Sequence, residues 1–98
     1  MRKVIWLDSA VNDLVSLRKF ITVNNPKAAK RAAQIIKKAA TTLVGSPNIG
    51  KPVADLPEFR DLYIKFGVAG YVMRYRIYRD DVYIVYIRHY REAGFKND

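Results

Sequence analysis

Cysteine is absent from the 98 residues, and histidine occurs once. The missing thiols exclude a disulfide scaffold, a thiolate metal site and a cysteine nucleophile. No apolar run approaches the length of a membrane span. The stretch MRKVIWLDSA has only four apolar residues in a row, which is too few for a signal peptide. We therefore expect a cytoplasmic protein with no membrane partner.

Acidic residues are scarce, because 9 Asp and Glu stand against 18 Lys and Arg, and the formal charge is +9. Residues 1–50 hold nine basic and two acidic residues, a net +7, whereas residues 51–98 hold nine and seven, a net +2. Half of the residues are hydrophobic and 12% are aromatic, enough for a packed core. The length predicts a single domain over residues 1–98. The charge indicates an acidic partner: nucleic acid, an anionic membrane or an acidic protein.

Helical periodicity dominates the first half of the chain. A short strand over residues 3–7 is followed by a helix that Asp8 or Ser9 would cap, and Asn25 would cap a second helix over residues 26–44. The predicted core face of the first helix comprises Val11, Leu14, Leu17, Phe20 and Ile21. The second helix is rich in alanine, which predicts a closely packed helical hairpin.

Strand patterns dominate the second half. Residues 46–59 contain three prolines and a glycine, which predicts a loop, and residues 60–66 alternate as a half-buried strand does. A turn at residues 67–70 precedes strands over 71–78 and 82–90, which a turn at 79–81 joins. The predicted fold is α+β: a strand, a helical hairpin, and a three-stranded antiparallel meander that completes one sheet with both helices on one face.

The segment over residues 71–91 holds six of the seven tyrosines and five arginines. Alternation separates an apolar face, with Tyr71, Met73, Tyr75 and Ile77, from a face that contains arginines. An odd-length loop at 79–81 would also place Tyr86 and Arg88 on the arginine face, whereas an even loop would place Arg88 among apolar residues. Burying an unpaired guanidinium costs several kcal/mol. We therefore predict the odd loop, and an open basic–aromatic face made by Arg74, Arg76, Tyr86 and Arg88.

Two further patterns leave alternatives open. The single histidine, His89, lies on the apolar side of its predicted strand, as a packed core residue or as a general base. The second helix carries a line of cations, which is either a solvated surface or a patch for nucleic acid or an acidic protein; these are Lys27, Lys30, Arg31, Lys37 and Lys38. The sequence contains no phosphate-binding glycine loop, metal-ligand spacing or nucleophile–base arrangement, so no metal or cofactor is predicted.

Several short phrases, in order, resemble those of one family. They are Trp6, Ala10-x-x-Asp13-Leu14, Asn25-Pro26-x-Ala28-Ala29, Gly50, Arg60-x-Leu62, the run GYVMRYRI at residues 70–77, and Arg88-His89-x-Arg91-Glu92-Ala93-Gly94. The chain resembles the RelE/ParE superfamily of bacterial type II toxins over nearly its whole length. The resemblance implies a toxin held inactive by a cognate antitoxin in a hetero-oligomer. We expect the antitoxin to have an acidic or amphipathic C-terminal segment that folds on binding.

The superfamily divides by target. RelE-like members cut messenger RNA on the ribosome with basic side chains on the open sheet face, which supply a base and stabilise the pentavalent phosphate. ParE-like members poison DNA gyrase. Here Val72 and Tyr63 stand where RelE-like members have an arginine and a lysine, although Lys65 matches another lysine. His89 is one position out of register with the related histidine-using subgroup. The resemblance therefore favours a gyrase inhibitor, with a ribosome-dependent endoribonuclease as the alternative.

The candidate site follows from the open face and the resemblance together. The residues predicted to bind antitoxin or target are Arg60, Lys65, Arg74, Arg76, Tyr86, Arg88, Tyr90 and Arg91. No catalytic residue is predicted for a gyrase inhibitor. If the chain is a nuclease, the expected catalytic residues are Arg74, His89, Tyr90 and Arg91.

Overall fold

A computed structural model describes residues 1–90. The elements in chain order are β1 (Val4–Trp6), α1 (Asp8–Thr22), α2 (Pro26–Gly45), β2 (Lys51–Val53), β3 (Leu56–Phe66), β4 (Ala69–Tyr78) and β5 (Asp81–His89). The strands form one five-stranded sheet in the order β1-β5-β4-β3-β2. β1 is parallel to β5, and the other neighbours are antiparallel. The α+β prediction is confirmed, with one strand more than expected.

The core lies between the helical hairpin and one face of the sheet. Met73 and Tyr75 of β4 are fully buried and pack in one cluster with Ile36 and Leu43 of α2. The alanines of α2 that face this layer are also buried; they are Ala29, Ala32, Ala33 and Ala40. Small side chains let the backbone of α2 come close to its neighbours, as the sequence predicted.

The helix boundaries follow the predicted signals only in part. Asn25 caps α2, because its Oδ1 accepts a hydrogen bond from the backbone N–H of Ala28 at 3.0 Å. The predicted cap of α1 by Asp8 or Ser9 is wrong. α1 already begins at Asp8, and Leu7, which makes no side-chain cap, precedes it. Ser9 instead donates its hydroxyl to the carbonyl oxygen of Val85 in β5.

Two residues assigned to the core face of α1 are exposed. Val11 is 43% exposed and Phe20 is 78% exposed, whereas Leu14 is buried, and Leu17 and Ile21 pack against the core. A helix advances about 100° per residue, so Val11 and Phe20 lie roughly 90° to either side of the line that contacts the sheet. Spacings of three and four residues included these flanking positions and made the predicted face too wide.

The segment over residues 46–59 is not the continuous loop that its prolines predicted. β2 and the first residues of β3 lie within it and form an antiparallel pair. Pro52 fits because β2 is the edge strand, where a missing N–H is tolerated. The loop that remains is held from inside the protein: the hydroxyl of Tyr75 donates to the Pro47 carbonyl oxygen at 2.7 Å and accepts from the Gly50 N–H at 2.9 Å.

The protonation state of Tyr75 suits this role. Burial raises the pKa of the Tyr75 hydroxyl, although the hydrogen bond from Gly50 and the charge of Arg60 act to lower it. The phenol is therefore protonated at neutral pH and can donate to Pro47. A Cβ on Gly50 would overlap the Tyr75 ring and hydroxyl, so this position has room only for glycine.

The turn between β4 and β5 corrects the predicted register. Arg79 and Asp80 have positive φ values of 49° and 71°, and Tyr78 pairs with Asp81. These values define a two-residue turn of the type that matches the twist of a hairpin. The predicted odd-length loop is therefore wrong, because the loop is even.

A β-bulge reverses the effect of that even loop. The register of β4 and β5 shifts between Arg74 and Tyr75, so Val85 is an extra residue on β5. Before the bulge Ile84 faces the core, and after it Ile87 does. Arg88 therefore pairs with Val72 on the face away from the helices, as predicted, but the bulge rather than the turn places it there.

No helix among the first 90 residues is long and apolar enough to cross a membrane.

Candidate partner-binding face

The helix-free side of β3, β4 and β5 gathers cations and aromatic rings. Strand pairing places Asp61 opposite Arg74, Arg74 opposite Tyr86, and Arg76 opposite Tyr83. We call this surface the basic–aromatic face; its members are Phe59, Asp61, Tyr63, Lys65, Val72, Arg74, Arg76, Tyr78, Tyr83, Tyr86 and Arg88. Four of the predicted site residues therefore lie together with Lys65, on one side of the sheet.

Arg74 lies at the centre of this face, and its guanidinium is already engaged. Its Nε donates to Asp61 Oδ1 at 2.9 Å, and its Nη2 donates to Asp61 Oδ2 at 3.1 Å. The side chain of Arg74 is only 9% exposed, and that of Asp61 is 26% exposed. A bidentate ion pair with this geometry fixes the planar guanidinium in one orientation. Arg74 therefore organises the face and is poorly accessible to a partner.

Arg76 has a different environment, formed by aromatic rings. Its guanidinium carbon lies 5.6 Å from the ring centre of Phe59 and 5.6 Å from that of Tyr78. Its Nε is buried and has no hydrogen-bond partner. The guanidinium carbon of Arg79 lies 5.5 Å from the centre of the same Tyr78 ring. Stacked guanidinium groups keep their charge and their planar N–H edges, so this end of the face suits carboxylate or phosphate.

The other end of the face combines tyrosines with Arg88 and the exposed Lys65. The rings of Tyr63 and Tyr90 meet edge to face with centres 5.0 Å apart, and the Tyr63 hydroxyl donates to the Ala69 carbonyl oxygen at 3.1 Å. Arg88 Nη1 donates to the carbonyl oxygens of His89 and Tyr90, at 3.3 and 3.4 Å. These contacts hold Tyr90 beside the face, just beyond the end of β5.

His89 lies on the other side of the sheet from Arg74. It pairs with Tyr71 across the strands, and their rings meet edge to face with centres 5.6 Å apart. Tyr71 is 5% exposed and belongs to the core beneath the helices. His89 therefore lies on the apolar side of its strand, where the sequence placed it, in ring contact with Tyr71. The structure does not bring His89 together with Arg74, as a shared catalytic site would require.

Arg60 also lies away from the face. It pairs with Tyr75, and its Nη1 donates to the carbonyl oxygens of Asn48 and Gly50 at 3.1 and 2.7 Å. Arg60 therefore fixes the segment before β2, and as a binding residue it would act separately from Arg74 and Arg76. The predicted site residue Arg91 lies outside the described residues.

The sequence prediction missed two members of the face that matter for its geometry. The predicted strand over residues 60–66 includes Asp61 but not its pairing with Arg74, and Phe59 falls in the predicted loop over residues 46–59. The alternation of Asp61, Tyr63 and Lys65 in the predicted strand was the available signal, because it puts all three on one face. Within residues 1–90, no cluster of three or more metal-ligating side chains occurs.

These features together define the class. A helical hairpin on one face of a small sheet, with cations and tyrosines on the other, is the architecture that the resemblance to type II toxins led us to expect. A family sequence model described as "ParE toxin of type II toxin-antitoxin system, parDE" matches residues 4–94. The chain therefore belongs to the ParE toxin family, and it is the toxin component of a type II toxin–antitoxin system.

Known relatives cover almost the whole chain. It is similar to three proteins of Caulobacter vibrioides. Toxin RelE3 is 39% identical over 89 residues, which are 91% of this chain and 95% of the relative. Toxin RelE2 is 36% identical over 89 residues, which are 91% of this chain and 96% of that relative. Toxin RelE1 is 31% identical over 80 residues, which are 82% of this chain and 84% of that relative. The family model and these names therefore use both branch names of the superfamily.

A solved structure shares the fold. It is described as the chromosomal ParDE TA system from P. aeruginosa, and it superposes with a TM-score of 0.76 over 91% of this chain and 96% of that chain. The sequence identity is 22%, so this likeness concerns the fold.

Proposed function

We propose that this toxin acts in the cytoplasm as a ParE-like inhibitor of DNA gyrase, neutralised by its cognate antitoxin. The observation that carries the proposal is the placement of His89 on the helix side of the sheet, packed against Tyr71. Cleavage of RNA by its own 2′-hydroxyl needs a base within hydrogen-bond reach of that hydroxyl. The helix-free face lacks this histidine, and its central arginine is engaged by Asp61. Its remaining groups are suited to binding.

The same face explains how a binding toxin could work. The guanidinium of Arg76 and the rings of Phe59 and Tyr78 form a rigid surface in which charge and apolar area alternate. Tyrosine and arginine are enriched among the residues that anchor protein interfaces, because tyrosine covers area at low entropic cost and arginine offers several planar N–H donors. We expect this surface to contact the target.

A second surface suits the antitoxin. An open cavity of about 410 Å³ on α1 is lined by Val15, Val23, Arg18, Lys19 and Thr22. Val15 is 45% exposed and Val23 is 81% exposed. An amphipathic acidic segment would bury its apolar side on the two valines and bring its carboxylates to the two cations. This is the chemistry predicted for the C-terminal segment of the antitoxin.

The deciding experiment compares two targets after induction of the toxin. We expect filamentous cells with a DNA-damage response, and we expect inhibition of supercoiling when purified toxin is added to purified gyrase. Translation in a cell-free extract should continue, and co-expression of the antitoxin should restore growth. Immediate arrest of translation with cleaved messenger RNA, and no effect on gyrase, would refute the proposal.

Substitution of the histidine tests the chemistry directly. We expect His89→Ala to retain toxicity, because His89 contributes packing against Tyr71 and no proton transfer. The loss of an aromatic contact should cost about 0.5–1.5 kcal/mol of stability. Growth inhibition should be measured at matched expression, with circular dichroism as the control for folding. A folded His89→Ala protein without toxicity would favour the nuclease.

The endoribonuclease remains the second candidate, for a specific reason. The three Caulobacter vibrioides relatives carry RelE names, and Lys65, Arg88 and Tyr90 gather at one end of the basic–aromatic face. A Lys65→Ala, Arg88→Ala double variant separates the two functions. Loss of messenger RNA cleavage in a folded double variant would support this candidate, and unchanged gyrase inhibition would oppose it.

A further inference from the structure

The outer surface of α2 carries cations that the gyrase proposal does not use. Five exposed basic side chains lie along it; we call them the basic stripe, and they are Lys27, Lys30, Arg31, Lys37 and Lys38. At 100° per residue they fall within an arc of about 120°, opposite the buried side of the helix. Residues 26–45 include no acidic residue. The stripe is therefore a single-sign surface: its four lysines lie on the side of α2 away from the sheet, and Arg31 lies at its edge, with its guanidinium carbon 5.9 Å from the ring centre of Phe66 in β3.

This arrangement of like charges destabilises α2. Lys27 is in the first turn of α2, which has no acidic residue, so it lies at the positive end of the helix dipole. Lys27 is also three residues from Lys30 and four from Arg31, the spacings at which like charges repel, by about 0.2–0.5 kcal/mol per pair. Arg2 pairs with Asp80 and Arg74 pairs with Asp61, and neither ion pair includes a residue of the stripe. A bound polyanion would relieve this repulsion.

The residues around the stripe indicate which class of polyanion would bind it. The positions between the cations, Gln34 and Thr41, are polar and exposed, and the one exposed apolar residue of α2, Ile35, lies at the flank. Protein interfaces need apolar or aromatic anchors at their centre. Contacts with a phosphate backbone need only cations at regular spacing. The stripe therefore fits a nucleic acid better than an acidic protein.

The length of the stripe agrees with this partner. Lys27 and Lys38 are eleven residues apart, which is about 17 Å along a helix axis. Over that distance one strand of a duplex presents about five phosphates. We propose that the basic stripe binds the phosphodiester backbone of a nucleic-acid duplex, without reading its sequence. The helices and the basic–aromatic face lie on opposite sides of the sheet, so both surfaces can be occupied together.

Fluorescence anisotropy of a labelled 20-base-pair duplex tests the proposal with the full chain. With about five phosphate contacts, the logarithm of affinity should fall with the logarithm of salt with a slope near −4.5. Affinity should thus drop about 500-fold between 50 and 200 mM salt. A Lys30→Gln, Lys37→Gln, Lys38→Gln variant should bind at least tenfold more weakly at 100 mM salt. Its slope should be shallower by about 2.7.

The matched control lowers the net charge by the same three units at exposed positions elsewhere, with Lys3→Gln, Lys51→Gln and Val68→Asp. This variant should bind within about threefold of the unmodified protein. Lysine and glutamine have similar helix propensities, so helix content should be unchanged. Equal weakening by both variants would overturn the proposal, because net charge alone would then explain binding.

Two further binding measurements identify the class of partner. The same duplex made of DNA and of RNA shows which source supplies the backbone, and binding of either supports the proposal. Failure to bind both duplexes at 50 mM salt overturns it. Displacement of the duplex by polyglutamate of equal charge also overturns it, in favour of an acidic protein. None of these outcomes depends on gyrase, so this inference and the proposed function can fail separately.

Discussion

Asp61→Ala should unfold the protein at a much lower temperature than the unmodified chain. The substitution leaves the guanidinium of Arg74, which is 9% exposed, without the carboxylate that accepts from its Nε and Nη2. Loss of one partner of a buried pair costs 3–5 kcal/mol, and the 26% exposure of Asp61 places this pair near or just below the lower figure. We expect a loss of about 2–3 kcal/mol, which lowers Tm by about 10–20 °C in a domain of this size.

Thermal unfolding followed by circular dichroism measures this effect, and two variants make it specific. Asp55→Ala removes an exposed carboxylate from the turn between β2 and β3 and should change stability by no more than about 0.5 kcal/mol. An Asp61→Leu, Arg74→Met double variant removes both charges and should recover most of the loss, because no buried charge remains unpaired. A double variant no more stable than Asp61→Ala would show that the pair is not the cause.

The same pair changes how the basic–aromatic face should be tested. Charge reversal at Arg74 would place two carboxylates side by side and would disrupt the fold as well as binding. Arg76 is stacked between Phe59 and Tyr78, and none of the described ion pairs includes it. Substitution of Arg76 alone therefore separates binding from stability, which a substitution that includes Arg74 cannot do.

Gly70→Ala should have the second large effect. A Cβ on Gly70 would overlap the backbone carbonyl oxygen of Ile64 in β3, and it would lie 3.1 Å from the hydroxyl of Tyr63. Backbone atoms of a paired strand cannot rotate away as a side chain can, so β3 and β4 must separate locally. We expect a loss of about 3 kcal/mol, at the upper end of the usual cost of overpacking.

Chemical denaturation with urea measures this loss, and Gly45→Ala is the matched control. A Cβ on Gly45, at the end of α2, meets no atom within 4 Å. Alanine there reduces the entropy of the unfolded chain and should be neutral or stabilising by up to about 1 kcal/mol. Because Gly70 also accepts a hydrogen bond from the Tyr90 N–H, at 2.8 Å, Gly70→Ala should disturb the tyrosines at that end of the face. A Gly70→Ala protein as stable as the control would contradict the geometry.

The parts of the fold that depend on local chemistry could be predicted from the sequence. Asn25 followed by proline marks the start of α2, and the alternation from Tyr71 to Ile77 identifies the core side of β4. The parts that depend on distant partners could not. β2 is a strand because β3 lies beside it, although Lys51 and Pro52 have weak strand preference. The pairing of Asp61 with Arg74 likewise requires the register of β3 against β4, which no local pattern contains.

The candidate site was predictable to the same extent. Alternation correctly grouped Arg74 with Arg76, which belong to one strand. The placement of Arg88 was also correct, but the reason given for it, an odd-length loop, was wrong. The loop is even, and the extra residue lies within the return strand, at the bulge near Val85. Arg60 was included through resemblance, and the loop carbonyls that it binds could be identified only in the folded protein.

The bulge has a practical consequence for protein engineering. Within β5, positions before Val85 and positions after it obey opposite rules for which side of the sheet they face. A side chain grafted from another toxin by aligning sequences would therefore reach the intended side only if the donor hairpin carries its extra residue at the same place. Deletion of Val85 would remove only the extra residue and leave Tyr86, Ile87 and Arg88 on their present sides, whereas a hairpin that kept Val85 in regular alternation would turn Tyr86 and Arg88 toward the helices. Grafts into this hairpin should accordingly be matched on backbone geometry and only then on sequence.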